Sequence, residues 1–314
     1  MAGFDKIVVV TRKTALEELI ERFNTVSQAR FYIEQSGTVP FGEYEAAHRA
    51  YARALAEVKK RLPRGVKQQI VDRGWLPTFT FGPKDLVVTL GQDGLVVNTA
   101  KYLAEQRIVA LNPDPERIDG ILNPLSPFEL ESALDACASD HARVARVSMA
   151  EARLSDGREL VAVNDLFVGP RSHGSARYRL QYRKKIEEQS SSGLIVSTGA
   201  GSTGWLRSVV AGAMGIVRDR LGDKFVVPPD PRFDWEAEQL KFSVREPFES
   251  RTTRASLCAG TLEAREELTI TSWMPENGVI FSDGVESDYL PFNAGVVARV
   301  RVAARKAHLV QRSW

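Results

Sequence analysis

Two runs of uninterrupted apolar residues limit this chain most: Ile7-Val8-Val9-Val10 and Leu86-Val87-Val88-Thr89-Leu90. A strand with one wet face alternates polar and apolar residues. A run without alternation is buried on both faces, as in a parallel sheet covered by helices. Helical signals follow the first run. Thr14-Ala15-Leu16-Glu17 fits a capping box, with Thr14 as N-cap and Glu17 reaching back, and Leu16, Leu19, Ile20 and Phe23 recur at helical spacing. A second helix is expected from Tyr44 to Leu62, ended by Pro63-Arg64-Gly65. After the second run, Gly91-Gln92-Asp93-Gly94 leads into an apolar segment, Leu95 to Leu103, that reads as a helix. Arg107 to Leu111 is a third strand, and Phe128 to Cys137 a further helix. Strands alternating with helices over residues 1–142 predict an α/β domain with a parallel sheet.

The pattern changes near Arg143. Ala145, Val147 and Met149 alternate with polar neighbours, and Asp156-Gly157 is a hairpin signal before Leu160 to Val163. Short strands are expected at Leu194–Ser197, Leu240–Val244, Leu268–Thr271, Val279–Phe281 and Val296–Ala303. One helix interrupts them, from Thr203 to Leu221, and 226–233, with three prolines, reads as an irregular loop. Residues 143–299 therefore read as a β-rich domain, and the first domain is expected to take back the last residues, about 300–314.

Composition removes several classes. With 314 residues, 43% hydrophobic and 26% charged, the chain is neither disordered nor disulfide-stapled. Its net charge of +2 offers no electrostatic case for nucleic acid or an anionic membrane as partner. No apolar run approaches the roughly 18 residues a membrane helix needs, and no targeting segment is recognisable, so a cytoplasmic protein is expected. Cys137 and Cys258 stand alone and read as buried thiols, and His48, His141, His173 and His308 show no metal-ligand spacing, so no metal site on the protein is expected. His173 is a weak pocket candidate. Arg177 to Lys185 reads as a solvated strand edge or turn.

Four stretches have chemistry in them. Gly91-Gln92-Asp93-Gly94 follows a buried strand, where α/β sheets place their ligand crevice; it reads either as a phosphate-hugging turn with a proton-accepting Asp93 or as a plain turn with Asp93 as helix N-cap. Asn164-Asp165 can grip two vicinal hydroxyls or make an Asx turn. Thr198-Gly199-Ala200-Gly201-Ser202-Thr203-Gly204-Trp205 joins a strand to a helix; it suits an anion cradle, or a connector with Ser202 or Thr203 as cap, and lacks the Lys of a P-loop. Asp283-Gly284 reads as a tight turn.

In this order the four stretches resemble the NAD kinase family, which carries a GGDG motif, an Asn-acid pair, a glycine- and hydroxyl-rich loop and a C-terminal Asp-Gly turn. The segments Asn112-Pro113-Asp114-Pro115-Glu116-Arg117, Ser191-Ser192-Gly193-Leu194 and Phe242-Ser243-Val244-Arg245-Glu246-Pro247 are similar to its mitochondrial-type branch. The resemblance implies an NAD kinase / diacylglycerol kinase-like two-domain architecture with the active site between domains. It also implies phosphoryl transfer from ATP, with Mg²⁺, to the adenosine ribose 2′-hydroxyl of NAD. Asp93 would be the base, with Gly91, Gln92 and Gly94 in its motif. Asn164 and Asp165 would hold the ribose, and Thr198, Gly201, Ser202, Thr203 and Trp205 would line the dinucleotide pocket. A homo-oligomer, dimer or tetramer, is implied as well. The chain departs from the family pattern chiefly at Gln92, where a glycine is usual, and at Trp205, where a tyrosine is. The alternatives are a dinucleotide-binding protein with weak or no kinase activity and a lipid or sugar kinase of the same superfold.

Overall fold

The computed structural model describes residues 3–37, 39–224, 226 and 229–312. Val227 and Pro228 of the proline-rich loop lie outside the described residues. The chain divides into two compact units, one running up to Ala145 and resuming at His308, the other Arg146–Ala307.

The first unit opens with β1 (Lys6–Thr11), α1 (Ala15–Phe23), α2 (Val26–Ser36), α3 (Phe41–Arg61) and β2 (Lys67–Asp72). It continues with β3 (Asp85–Leu90), α4 (Asp93–Ala100), β4 (Arg107–Leu111) and α5 (Leu130–Ala138). The strands pair in parallel in the order β2-β1-β3-β4, with Val9 beside Ile70 and Val88 and Val88 beside Val109. All of β3 is buried, as its apolar run requires. Ile7, Val9, Val88, Leu90 and Val109 pack with Val58 of α3 and Leu130 and Leu134 of α5, each such side chain contributing about 1.5–3 kcal/mol of burial. The capping box at Thr14 and Glu17 forms: Glu17 Oε2 accepts from the Thr14 amide at 2.7 Å, and Thr14 Oγ1 accepts from the Glu17 amide at 3.3 Å. Cys137 is buried, which pushes its thiol up to about 11 and keeps it unreactive.

The second unit contains β5 (Arg143–Leu154, from Arg146 on), β6 (Glu159–Ala162), β7 (Asp165–Pro170), β8 (Ala176–Tyr182), β9 (Lys185–Ser191) and β10 (Leu194–Ser197). After α6 (Trp205–Leu221) come β11 (Gln239–Val244), β12 (Ala259–Glu263), β13 (Leu268–Ser272), β14 (Gly278–Ser282), β15 (Val285–Pro291) and β16 (Val297–Gln311). Six strands form an antiparallel sheet ordered β12-β11-β10-β7-β14-β15. Side chains of that sheet, among them Leu166, Val196, Phe242 and Ile280, share a core with Tyr178, Leu180, Ile270 and Val300 from β8, β13 and β16. From His308 on, β16 pairs in parallel with β4 in the first unit.

Arg177 to Lys185 is the solvated strand and turn expected: β8 and the sheet-edge strand β9 make a hairpin turning at Arg183 (φ 54°), with its basic side chains exposed and Tyr178, Leu180 and Tyr182 buried on the other face. Two expectations change. Cys258 is half-buried rather than buried. The N-caps are Gln92 for α4 and Gly204 for α6, not Asp93, Ser202 or Thr203. No helix among the described residues is long and apolar enough to cross a membrane.

Candidate functional site

Asn164 occupies the bend between β6 and β7, and Asp165 opens β7. The bend is fixed from a distant part of the chain. Asp283 Oδ1 accepts from the Asn164 amide at 2.7 Å and the Asp165 amide at 3.3 Å, while Oδ2 accepts from the Val163 amide at 3.1 Å. The Asp283 amide returns a bond to the Asp165 carbonyl at 2.9 Å. Asp283 and Gly284, at φ 56° and 70°, form the tight turn read from the sequence, and the left-handed backbone suits an Asp-Gly pair. Substituting Asp283→Asn leaves Oδ1 as acceptor and removes the second oxygen. A loss of about 1 kcal/mol is expected, read as a lower Tm.

The Asp165 carboxyl is 8% exposed, and its Oδ1 has no hydrogen-bond partner among the described residues. Burial raises it from 3.8 to about 6, against a hydrogen bond from Ser197. It lines a cavity of about 410 Å³ together with Phe167, Ser192, Trp205, Arg245, Phe281 and residues 170–174, His173 included. The wall is aromatic. Phe167 stacks on Trp205 (centroids 5.8 Å) and on Phe281 (6.2 Å), and Phe281 meets Tyr289 edge-on at 5.8 Å. Arginines cap both ends of this row. The Arg245 guanidinium lies 5.6 Å from the Trp205 ring, and that of Arg171 4.8 Å from Tyr289. A buried acid with an unspent oxygen beside aromatic faces and guanidinium groups suits a ribose carrying a flat ring and phosphates.

The loop from Thr198 to Thr203 is built as scaffold. Thr198 Oγ1 donates to the Val163 carbonyl, Ser202 Oγ to Gly199 at 2.6 Å, and Thr203 Oγ1 to Ala200 at 2.9 Å. Its hydroxyls are spent on its own neighbourhood, so the loop does not present them as an open cradle. A Cβ on Gly201 would sit 2.2 Å from the Asn164 carbonyl oxygen. The loop thus buttresses the Asn164–Asp165 bend and delivers Trp205 to the cavity. A Gly201→Ala variant is expected to displace Asn164 and lower the Tm, which a thermal melt beside the wild type measures.

The Gly91–Gly94 motif lies in the first unit, at the end of β3. Asp93 is the first residue of α4, and its carboxylate accepts from the Ile121 amide at 3.2 Å and the Leu122 amide at 2.9 Å. Each oxygen keeps a further lone pair. Gly91 donates to the Leu111 carbonyl at 3.2 Å, the space around Gly94 is open, and Gln92 Oε1 accepts from Arg12 at 3.2 Å. Among the described residues no three His, Cys, Asp or Glu side chains gather to hold a metal ion.

Reading the sequence missed Phe167, Arg171, Tyr289 and Arg12, and it names Arg245 only within the Phe242–Pro247 segment. Phe167 was within reach: it sits two positions beyond Asp165, hence on the same face of β7, and in register with Phe281.

No family model matches the chain. It is similar to curated proteins named NAD kinase from Acidithiobacillus ferrooxidans (31% identity over 144 residues, 42% of this chain and 48% of that protein) and Heliobacterium modesticaldum (32% over 156 residues, 47% and 53%). One from Alcanivorax borkumensis matches at 24% over 235 residues, 72% of this chain and 69% of that protein. Outside the last case, the match spans about half the length of these relatives. Among solved structures, an NAD kinase from Archaeoglobus fulgidus in complex with ATP superposes with a TM-score of 0.57 at 16% identity, covering 98% of this chain and 93% of that one. Yeast NADH kinase complexed with NADH superposes with a TM-score of 0.56 at 14% identity, covering 99% and 84%. The chain therefore has the fold of the NAD kinase structures, an α/β part with a parallel sheet and an antiparallel β-rich part, and its sequence is similar to proteins of that name.

Proposed function

We propose that the protein is an NAD kinase, transferring the terminal phosphoryl group of ATP to the 2′-hydroxyl of the adenosine ribose of NAD. The observation that carries this reading is the buried Asp165 carboxyl, one oxygen unspent, on a bend pinned by Asp283 and opening onto an aromatic-walled cavity. Asn164 and Asp165 hold the ribose hydroxyls, Trp205 and Phe167 offer ring faces, and Arg245 and Arg171 are available to phosphate oxygens. Asp93 takes the proton from the attacking hydroxyl, its carboxylate oriented by the Ile121 and Leu122 amides. Mg²⁺ bound with ATP would supply neutralisation of the phosphate charge, and the chain's own part is alignment of hydroxyl and phosphate. The reading carries with it a cytoplasmic homo-oligomer, and the segments at Asn112–Arg117 and Phe242–Pro247 favour the mitochondrial-type branch.

A dinucleotide-binding protein without phosphoryl transfer is the second reading, favoured by Gln92 in place of glycine. Incubation with ATP, Mg²⁺ and NAD decides: NADP formed by the wild type supports the kinase, and NAD binding without NADP selects the alternative.

A further inference from the structure

The strand order β2-β1-β3-β4 reverses direction between β1 and β3, and a sheet of this kind opens its ligand crevice at the carboxyl ends of those two strands. Arg12 follows β1 directly, and Gln92 follows β3 two residues on. The Arg12 side chain runs across Gly91, its Cδ 3.5 Å from where a Cβ there would sit, and its Nη1 donates to Gln92 Oε1. Tyr51 ties the strand ends together beneath the pair: its hydroxyl accepts from the Arg12 amide at 3.0 Å and donates to the Leu90 carbonyl at 3.1 Å. Burial raises the Tyr51 hydroxyl above its ordinary pKa, so it stays a donor.

Arg30, Arg61, Arg107, Arg117 and Arg312 each bind a carboxylate. Arg12 instead spends its side-chain donors on two neutral oxygens, the Gln92 amide and the Lys13 carbonyl. A neutral amide offers the guanidinium one uncharged oxygen, whereas a phosphate offers it a charged partner that it can grip with two parallel N–H bonds.

We infer that Arg12 is the residue that selects and positions the phosphoryl donor, exchanging its bond with Gln92 for the donor's phosphate oxygens. Gln92 then serves as a neutral placeholder that keeps the guanidinium over the motif between turnovers, a role the usual glycine cannot fill. This rests on the kinase reading for the donor's identity, and on the Arg12–Gln92 geometry alone for the anion seat.

The test uses the full chain and two probes, inorganic tripolyphosphate for binding and ATP for turnover. Arg12→Ala is expected to weaken tripolyphosphate binding and raise the ATP KM about 10- to 100-fold, from the loss of a charge-assisted pair. The NAD KM and the Tm are expected to stay close to wild type, a split that a general folding defect does not produce. Gln92→Glu, which gives Arg12 a carboxylate of its own, is expected to weaken tripolyphosphate binding with no loss of Tm. Arg12→Lys is expected to rescue only part of the affinity. Unchanged tripolyphosphate binding in both Arg12→Ala and Gln92→Glu overturns the inference. A wild type that makes no NADP, yet loses tripolyphosphate binding on Arg12→Ala, overturns the kinase reading and leaves the anion seat standing.

Discussion

Asp93→Asn is expected to lower NADP formation about 10²- to 10⁴-fold, the range lost when a positioned general base is removed. The substitution is isosteric. Its remaining oxygen still accepts one of the two backbone amides, Ile121 or Leu122, so the loop beside α4 loses one hydrogen bond, worth about 1 kcal/mol. NAD binding, followed by titration, is expected to hold within about threefold. Asp93→Ala is the poorer test, because both amides lose their acceptor and the loop itself relaxes. The measurement is the initial rate of NADP formation at saturating ATP and NAD, with a melt of each variant beside it. An Asp93→Asn enzyme that keeps a tenth or more of the wild-type rate removes Asp93 from the chemistry.

The second expectation concerns Asp165 and sets stability against binding. Burial raises this carboxyl from 3.8 to about 6. The folded state therefore holds a proton that the unfolded chain releases at lower pH. Between pH 4 and 6 the native form binds the extra proton, so stability falls as pH rises through that window, by on the order of 3 kcal/mol, and is flat above it. Asp165→Asn removes the dependence. At pH 7–8 the variant is expected to be more stable than wild type by on the order of 1–3 kcal/mol, with a Tm higher by several degrees. If Asp165 holds the ribose as proposed, NAD affinity falls roughly 10- to 100-fold with the loss of that charged acceptor. Melting curves across pH 4–8 for both proteins decide: a stability difference between wild type and variant that does not change from pH 4 to 6, or a variant less stable at pH 7.5, refutes the burial argument.

What the sequence made legible follows from what each segment buries. β1 and β3 declare themselves because both faces are covered, and the capping box ahead of α1 is a local device whose partners lie three residues apart. β2 is the opposite case. It is an edge strand, Lys67-Gln68-Gln69-Ile70-Val71-Asp72, with only Val71 buried, so no apolar pattern marks it. α2 buries only Ala29 and Ile33 and is equally silent. The β8–β9 hairpin was readable: Tyr178, Leu180 and Tyr182 alternate with charged and polar residues, but the eye goes to the arginines between them.

The candidate site divides along the same line. Of the residues named from the motifs, Asp165, Trp205 and Gly284 line the cavity, while Thr198, Gly201 and Ser202 stand behind it as packing. Hydroxyl and glycine content signals a close turn as readily as an anion site, and only coordinates tell whether the hydroxyls are already spent. The grip of Asp283 on the Asn164 bend spans more than a hundred residues and has no local signature. Arg171 and Arg245 looked like any other surface cations until the ring row between them was in view.

The return of β16 to β4 fixes the order in which this protein can be finished on the ribosome. The strand positions His308 and Leu309, which close the sheet beside Arg107 and Ile108, are translated only after all of Arg146–Ala307. At about 5–20 residues per second, the β4 edge waits roughly 10–40 s for its neighbour. During that time the β4 edge at Arg107 and Ile108 stands without its neighbour in the nascent chain, an unpaired sheet edge of the kind that invites pairing with another strand.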